Sequence, residues 1–243
     1  MLNFSKNRPY VLSIITIEKD DREGHSATQL SLGEIPGDVQ WIVKSYSSED
    51  KKYETIGNVT KITSPDTGIY NAMNEAVGHC RSDWVLFLNA GDCLTTTLQE
   101  LTDILKMYGG NNTTLIFNWS VYGRIFTANI KKIRYGSAFS HQAAVISADQ
   151  FQQTKYNEKY ELAADYDFFL KSWRGSTRFI QVPLTLSKIQ PGGVSDTRRI
   201  QVYREFHAIQ NCANLSRSIN YTIFLKNTII NVLKKPFKKL FEI

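Results

Sequence analysis

Apolar, β-branched runs recur along this chain with amphipathic stretches between them. VLSIITI at residues 11–17, VQWIV at 39–43, NVTKIT at 58–63, WVLFL at 84–88 and LIFNW at 115–119 read as strands, because short apolar runs rich in Val, Ile and aromatics suit a covered sheet. Their alternation with helical patterns predicts an α/β fold, a mostly parallel central sheet with helices on both faces. In TTTLQELTDILKMYGG, Thr97 and Glu100 stand at capping-box spacing, Leu98, Leu101, Leu105 and Tyr108 form one stripe, and Gly109 and Gly110 end it. In SPDTGIYNAMNEAVG, Asp66 is placed to cap a helix and Gly78 to end it. Ile69, Met73, Ala76 and Val77 then share one side, with Asn71 and Asn74 on the opposite, polar face. After about residue 120 the segments shorten, with helices expected near 160–173 and 198–211. No internal repeat is present, so residues 1–215 read as one domain and 216–243 as a tail.

The charge is uneven. From residue 221 to the end there are five lysines against Glu242, a net of +4 out of the chain's +6, so the body is nearly neutral. In the tail, Leu225, Ile229, Val232, Leu233, Leu240 and Phe241 recur at roughly helical spacing among the lysines, with Pro236 placed to bend or end the first segment. A basic amphipathic helix on a neutral body fits the anionic inner face of a cytoplasmic membrane; the same letters fit a helix docked on the protein's own core with its lysines in solvent. The body has no clustered basic and aromatic motif, so nucleic acid is not an expected partner. No run reaches the roughly 18 to 20 apolar residues that cross a bilayer. The basic residues before the first apolar run lack a small-residue cleavage site, so that run reads as a strand and no export is expected. Cys80, Cys93 and Cys212 are odd in number and widely spaced, which fits reduced thiols in a cytosolic protein. Neither G-x-G-x-x-G nor G-x-x-x-x-G-K-[ST] occurs, which argues against a dehydrogenase and a P-loop enzyme.

Candidate chemistry centres on two carboxylates. WVLFL runs straight into Asn89-Ala90-Gly91-Asp92, and ligands of open α/β sheets gather beyond the carboxyl ends of the strands. Asp92 is placed there to offer a hard oxygen to a divalent cation, or simply to start the next turn. In ELAADYDFFLKSW, Leu162, Tyr166, Phe169, Leu170 and Trp173 form a stripe with Asp165 at its edge, while Asp167 points away. Partial desolvation on that border raises a carboxyl pKa and strengthens a base; a salt-bridged helix acid is the plainer alternative. His141 and Gln142 precede the apolar AAVI, and Arg198 and Arg199 follow the glycine pair of PGGVS.

SPDTGIYNAMNEA, WVLFLNAGDCL, FSHQAAVIS, ELAADYDFFLKSW and PGGVS, in this order and spacing, resemble the bacterial family 2 glycosyltransferases of GT-A fold. The similarity is greatest to the compact members of O-antigen, colanic acid and capsule assembly, and it spans most of residues 11–199. It implies a Rossmann-like nucleotide-binding half, a nucleoside-diphosphate sugar of UDP or GDP type as donor, and inversion at the anomeric carbon. A polyprenyl-diphosphate-linked oligosaccharide is the implied acceptor. By the same resemblance Asp165 is the catalytic base and Asp92 the ligand of Mg2+ or Mn2+. The family's metal-binding turn often has two or more aspartates, and here it keeps one carboxylate. His141 and Gln142 would face the donor diphosphate or the acceptor, and Arg198 and Arg199 would neutralise the leaving diphosphate. Where relatives have an Asp-Gly-Gly-Ser-type turn after the second strand, this chain reads VKSYSSED, with Ser45 in the acidic position and Asp50 downstream. Thr16, Ser45, Asp66, Asn71, Asn74 and Asn89 complete the donor-binding candidates. The expected protein is a peripheral glycosyltransferase; the alternative is a catalytically silent sugar-nucleotide-binding or scaffold protein of the same assembly, which the thinned acidic turn favours.

Overall fold

The computed structural model describes residues 8–49, 51–109 and 111–238, with side chains described as far as residue 229 apart from Gln152 and Arg217. Asp50, Gly110, Leu240, Phe241 and Glu242 lie outside the described residues, as do the side chains of Val232, Leu233 and Pro236. In chain order the first half comprises β1 (Tyr10–Glu18), α1 (Arg22–Leu32), β2 (Val39–Tyr46), β3 (Lys52–Ile56), β4 (Val59–Ser64), α2 (Ile69–Val77), β5 (Ser82–Phe87), β6 (Cys93–Leu94) and α3 (Leu98–Tyr108). The second half comprises β7 (Thr113–Val121), β8 (Arg124–Phe126), β9 (Ala144–Ser147), α4 (Ala148–Gln153), α5 (Ala164–Arg174), β10 (Arg178–Lys188), α6 (Val194–Thr197), α7 (Arg199–Cys212) and α8 (Arg217–Lys238). Two 3₁₀ turns, Ile130–Tyr135 and His141–Ala143, lie between β8 and β9.

One sheet runs in the order β3-β4-β2-β1-β5-β9-β7-β10-β6, with β8 paired to β7. All five strands expected from the sequence are in it. β4, β2, β1 and β5 are parallel, and β9 enters antiparallel between β5 and β7. Because β5 and β7 both oppose β9, they point the same way, and β10 runs parallel to β7. The carboxyl ends of β1, β2, β5, β7 and β10 therefore share one rim. An apolar layer covers each face, one containing Ile15, Met73, Phe87 and Phe168, the other Leu12, Trp84, Leu101 and Phe117.

The helices differ from the sequence expectation in informative ways. Thr97 caps α3 through the Glu100 N–H, but the Glu100 carboxylate takes the Thr96 hydroxyl, so the capping box closes on one side only. α2 begins at Gly68, whose φ of 149° and ψ of 174° belong to a region open to glycine. Asp66 does not cap it, because Gly68 takes the cap position; Asp66 lies two residues earlier, one oxygen accepting from the Gly68 N–H (3.2 Å) and the other from a buried cation. Lys44, fully buried on β2, donates from Nζ to the carbonyls of Ser64 (2.9 Å) and Ser45 (3.1 Å) and to Asp66 (3.2 Å), with Glu75 at 3.8 Å. This one ammonium ties the ends of β2 and β4 to α2. Lys44→Met should remove about 3 kcal/mol of stability, since it leaves the largely buried Asp66 carboxylate without its cation and Glu75 with Lys51 alone; urea unfolding would measure it, and an unchanged midpoint would show that the network contributes nothing.

At the other end of the chain, α8 runs past Pro236 to Lys238 and packs its first turns on α7. Buried Asn220 bonds to Asn211 and the Leu215 carbonyl, and the Phe224 ring lies against His207. Among the described residues no helix is long and apolar enough to cross a membrane.

Candidate active site

The turn after β5 stays tied to β1, with the N–H of Leu88 donating to the Ile15 carbonyl and that of Ala90 to Ile17. Gly91 has φ 93°, a conformation that calls for glycine, and a Cβ there would also come within a tight 3.2 Å of the Gln190 Cβ. Thr28, buried on α1, holds the turn from the other side. Its hydroxyl donates to the Asp92 carbonyl (2.8 Å) and accepts from the Gly91 N–H (3.1 Å). Nothing in the sparse apolar pattern of REGHSATQLSL marks that helix or this residue, because only Thr28 and Leu32 of it are buried.

Asp92 is 4% exposed. One carboxylate oxygen accepts from the Gln190 N–H (2.9 Å), the other from the Gln142 amide (3.0 Å). Burial pushes its pKa up, and the hydrogen bonds from Gln190 and Gln142, with the electrostatic pull of nearby His141, only partly offset this. Next to Gln142, His141 turns Nδ1 to Asp165 (3.3 Å) and Nε2 towards the Asn89 amide (3.4 Å). The 3₁₀ turn leading into β9 thus links the two candidate acids through adjacent residues.

Asp165 sits in the first turn of α5 and accepts from the Tyr70 hydroxyl (2.9 Å) and the Tyr166 N–H (2.8 Å) as well as facing His141. Burial pushes its carboxyl up, but His141, Tyr70 and the Tyr166 N–H together outweigh burial, and the net shift is downward. This corrects the expected rise: three donors stabilise the anion more than desolvation penalises it. The group is therefore ionised at neutral pH, able to accept a proton. Tyr70 is buried on α2 with its pKa well above the usual phenol value, chiefly through burial and then the Asp165 charge, so it acts as a donor. Asp167 does not point to solvent; it is buried and pairs with Lys171 at 2.7 Å.

The other donor candidates divide. Ser45 is next to last in β2 at the shared rim, and its carbonyl and the Asp66 carboxylate share the Lys44 ammonium. Thr16 is fully buried, its hydroxyl taken by the Trp41 indole N–H (3.0 Å), which removes it from the donor surface. Asn74 is also withdrawn, because its amide clamps the Tyr156 N–H and carbonyl and reaches Glu158. Asn71 accepts from the Thr67 N–H and donates to Glu158. Arg198 forms an exposed bidentate pair with Glu161, and Arg199 pairs with Asp196 at 2.7 Å. Both guanidiniums are thus matched to carboxylates of the chain itself.

A divalent cation would have to draw on the same turn. No group of three or more His, Cys, Asp or Glu side chains able to hold a metal occurs among the described residues. Asn89, however, has its buried side-chain oxygen without a hydrogen-bond partner. Each Asp92 oxygen, with one bond drawn from its two lone pairs, can still accept. One carboxylate and one orphaned carbonyl fit a hard cation that takes its remaining ligands from diphosphate and water.

No family model matches the chain. Over 147 residues it is 29% identical to the PGL/p-HBAD biosynthesis glycosyltransferases of Mycobacterium bovis (strain BCG / Pasteur 1173P2) and Mycobacterium tuberculosis (strain ATCC 25618 / H37Rv), a match covering 54% of this chain and 55% of each relative. The chain thus spans about half the length of the curated relatives it matches. Among solved structures, S. aureus TarS 1-349 in complex with UDP-GlcNAc superposes with a TM-score of 0.60 at 15% identity, covering 90% of this chain and 71% of that one. The mannosyltransferase PcManGT from Pyrobaculum calidifontis, in complex with GDP-Man and Mn2+, gives 0.60 at 12% identity over 96% and 77%. The chain is related in sequence to glycosyltransferases over that stretch and has their GT-A-like fold.

Proposed function

We propose that this protein is an inverting glycosyltransferase that moves one sugar from a nucleoside diphosphate to a lipid-linked oligosaccharide at the inner face of the cytoplasmic membrane. Surface-polysaccharide assembly of the O-antigen, colanic acid or capsule kind is the setting. The observation that carries the reading is the joining of Asp92 and Asp165 through His141 and Gln142 at the carboxyl rim of the sheet. Asp165 takes the proton of the acceptor hydroxyl while that oxygen bonds to the anomeric carbon, and the bond from that carbon to the diphosphate breaks on the opposite face. Inversion follows from the single displacement. Tyr70 and His141 hold the carboxylate in line, and Tyr70 keeps its own proton. Asp92 with the Asn89 side-chain oxygen would hold Mg2+ or Mn2+, whose charge offsets that of the departing diphosphate. Ser45 and Asp66 line the nucleotide end. With UDP-GlcNAc on one structural neighbour and GDP-Man on another, uridine and guanosine donors both stay open.

A panel of nucleoside diphosphates and their sugars, with and without Mn2+, tests the donor class. A ligand at 100 times its dissociation constant should stabilise the fold by about 2.7 kcal/mol, read as a rise in thermal midpoint for one nucleotide above the others. No shift with any of them would sink the reading. The competing possibility, a silent sugar-nucleotide-binding protein, is favoured by one fact, that both oxygens of the turn's single carboxylate already bond to the protein. Turnover of any donor sugar excludes it.

A further inference from the structure

The hairpin of β7 and β8 rises from the rim that carries the candidate site. The N–H of Ile189 donates to the Ser120 carbonyl at the hairpin's root, and the next N–H along, that of Gln190, donates to Asp92. At its tip Tyr122 is 75% exposed and Ile125 66% exposed, with Arg124 exposed between them. The 3₁₀ turn Ile130–Tyr135 follows and exposes Lys131, Lys132, Arg134 and Tyr135. Residues 104–148, which contain both, hold no Asp or Glu, so the nearly neutral body does carry a clustered basic and aromatic surface, contrary to the sequence expectation. None of Arg124, Lys131, Lys132 and Arg134 pairs with a carboxylate among the described residues, whereas Arg198 and Arg199 beyond the same rim both do. Tyr135 also joins Tyr203, Phe206 and Phe224 at the seam of α7 and α8. On α8 itself Tyr221, Leu225 and Ile229 are exposed at four-residue spacing, with Lys226 among them.

We infer that this face of the body, the β7–β8 hairpin with the 3₁₀ turn after it, docks on an anionic phospholipid bilayer. Unpaired cations flanking exposed aromatic and aliphatic side chains match an interface with negative headgroups outside and acyl chains beneath. The placement beside Asp92 and Gln190 would bring a lipid-linked acceptor to the site from the membrane, and in that respect the inference rests on the acceptor proposed above. It differs from attachment by the basic tail, because it assigns the contact to the domain that carries the candidate site.

Sedimentation of the full chain with phosphatidylcholine vesicles, with and without phosphatidylglycerol, tests it. The exposed triple variant R124E/K131E/K132E should bind phosphatidylglycerol vesicles at least about tenfold more weakly than the unaltered chain, with its thermal midpoint retained. Tyr122→Ser with Ile125→Ser should weaken binding at unchanged charge. Wild-type binding by the triple variant, with loss only on reversing Lys234 and Lys235, would overturn the inference and leave the tail as the anchor. Full displacement from vesicles by pyrophosphate at constant ionic strength would also overturn it, marking a site for free phosphate. Donor-sugar turnover without vesicles is scored separately on the same proteins. A chain that binds vesicles through this face but turns over no donor sinks the proposed reaction and not the docking face.

Discussion

Asp165→Asn is expected to lower kcat by about 10²- to 10⁴-fold, the range lost with a general base, while the protein stays folded. The asparagine oxygen can still accept from Tyr70 and the Tyr166 N–H, so the local packing survives and only the capacity to hold the acceptor's proton goes. Single-turnover transfer alongside circular dichroism measures both. Near-normal rates in a folded variant would remove Asp165 as the base. Its pH signature has a fixed sign. The folded carboxyl lies below its ordinary value, so it favours the native state above the unfolded value of about 4. That contribution disappears as pH falls through the lower, native value. The unaltered protein should therefore lose stability more steeply than the variant below about pH 4, and Asp165 should put no inflection into the activity profile in the neutral range.

Asp92→Asn should cost about 10²-fold or more in kcat, comparable to losing one preorganised electrostatic group, yet leave the thermal midpoint, measured in chelator, unchanged or higher. The two acids have opposite shifts. Asp92 is raised, mainly by burial, so the native state binds its proton more tightly than the unfolded chain does. Stability from this group falls as pH rises from about 4 through the raised native value. An asparagine, neutral throughout, escapes that cost; its oxygen can keep the Gln190 N–H while the Gln142 amide turns its own oxygen to the new NH2. A group that costs stability where it sits and is retained for the reaction is the pattern of a functional site. A folded variant with full activity, or one whose midpoint drops sharply, would refute this account.

The legible parts of the fold are those with a local signal. The runs ending in Ile17, Val43, Leu88 and Trp119 announce strands by continuous apolar stretches and that ending in Thr63 by alternation, one face buried and Lys61 exposed, and Thr97 announces α3 because a cap needs only its own next three residues. α1 stays silent, as its work is done by Thr28 against a turn more than sixty residues away. β9 reads only as a short apolar segment, since AAVI gives no sign that it will enter the sheet antiparallel between two strands formed earlier. Lys44 is the least legible of all. A lysine inside a strand signals an exposed position until two carbonyls and two carboxylates surround it, and Asp66, which shares that cation, fails as a helix cap because Gly68 holds the cap position.

The sequence alone determined the α/β class, five of the strands and the turn that carries Gly91 and Asp92, because periodicity, turn chemistry and residue type act over a few neighbouring positions; Asp165 stands out through the family resemblance, since the helix stripe alone turns the buried Asp167 to solvent. Tertiary structure alone decided which groups surround those acids. Tyr70 meets Asp165 from 95 residues away, Gln142 meets Asp92 from 50, and the Gln190 N–H from 98. Those distances close only when β9 inserts beside β5 and β10 aligns with β7, and the direction of each carboxyl's pKa shift depends on donors that arrive by that route.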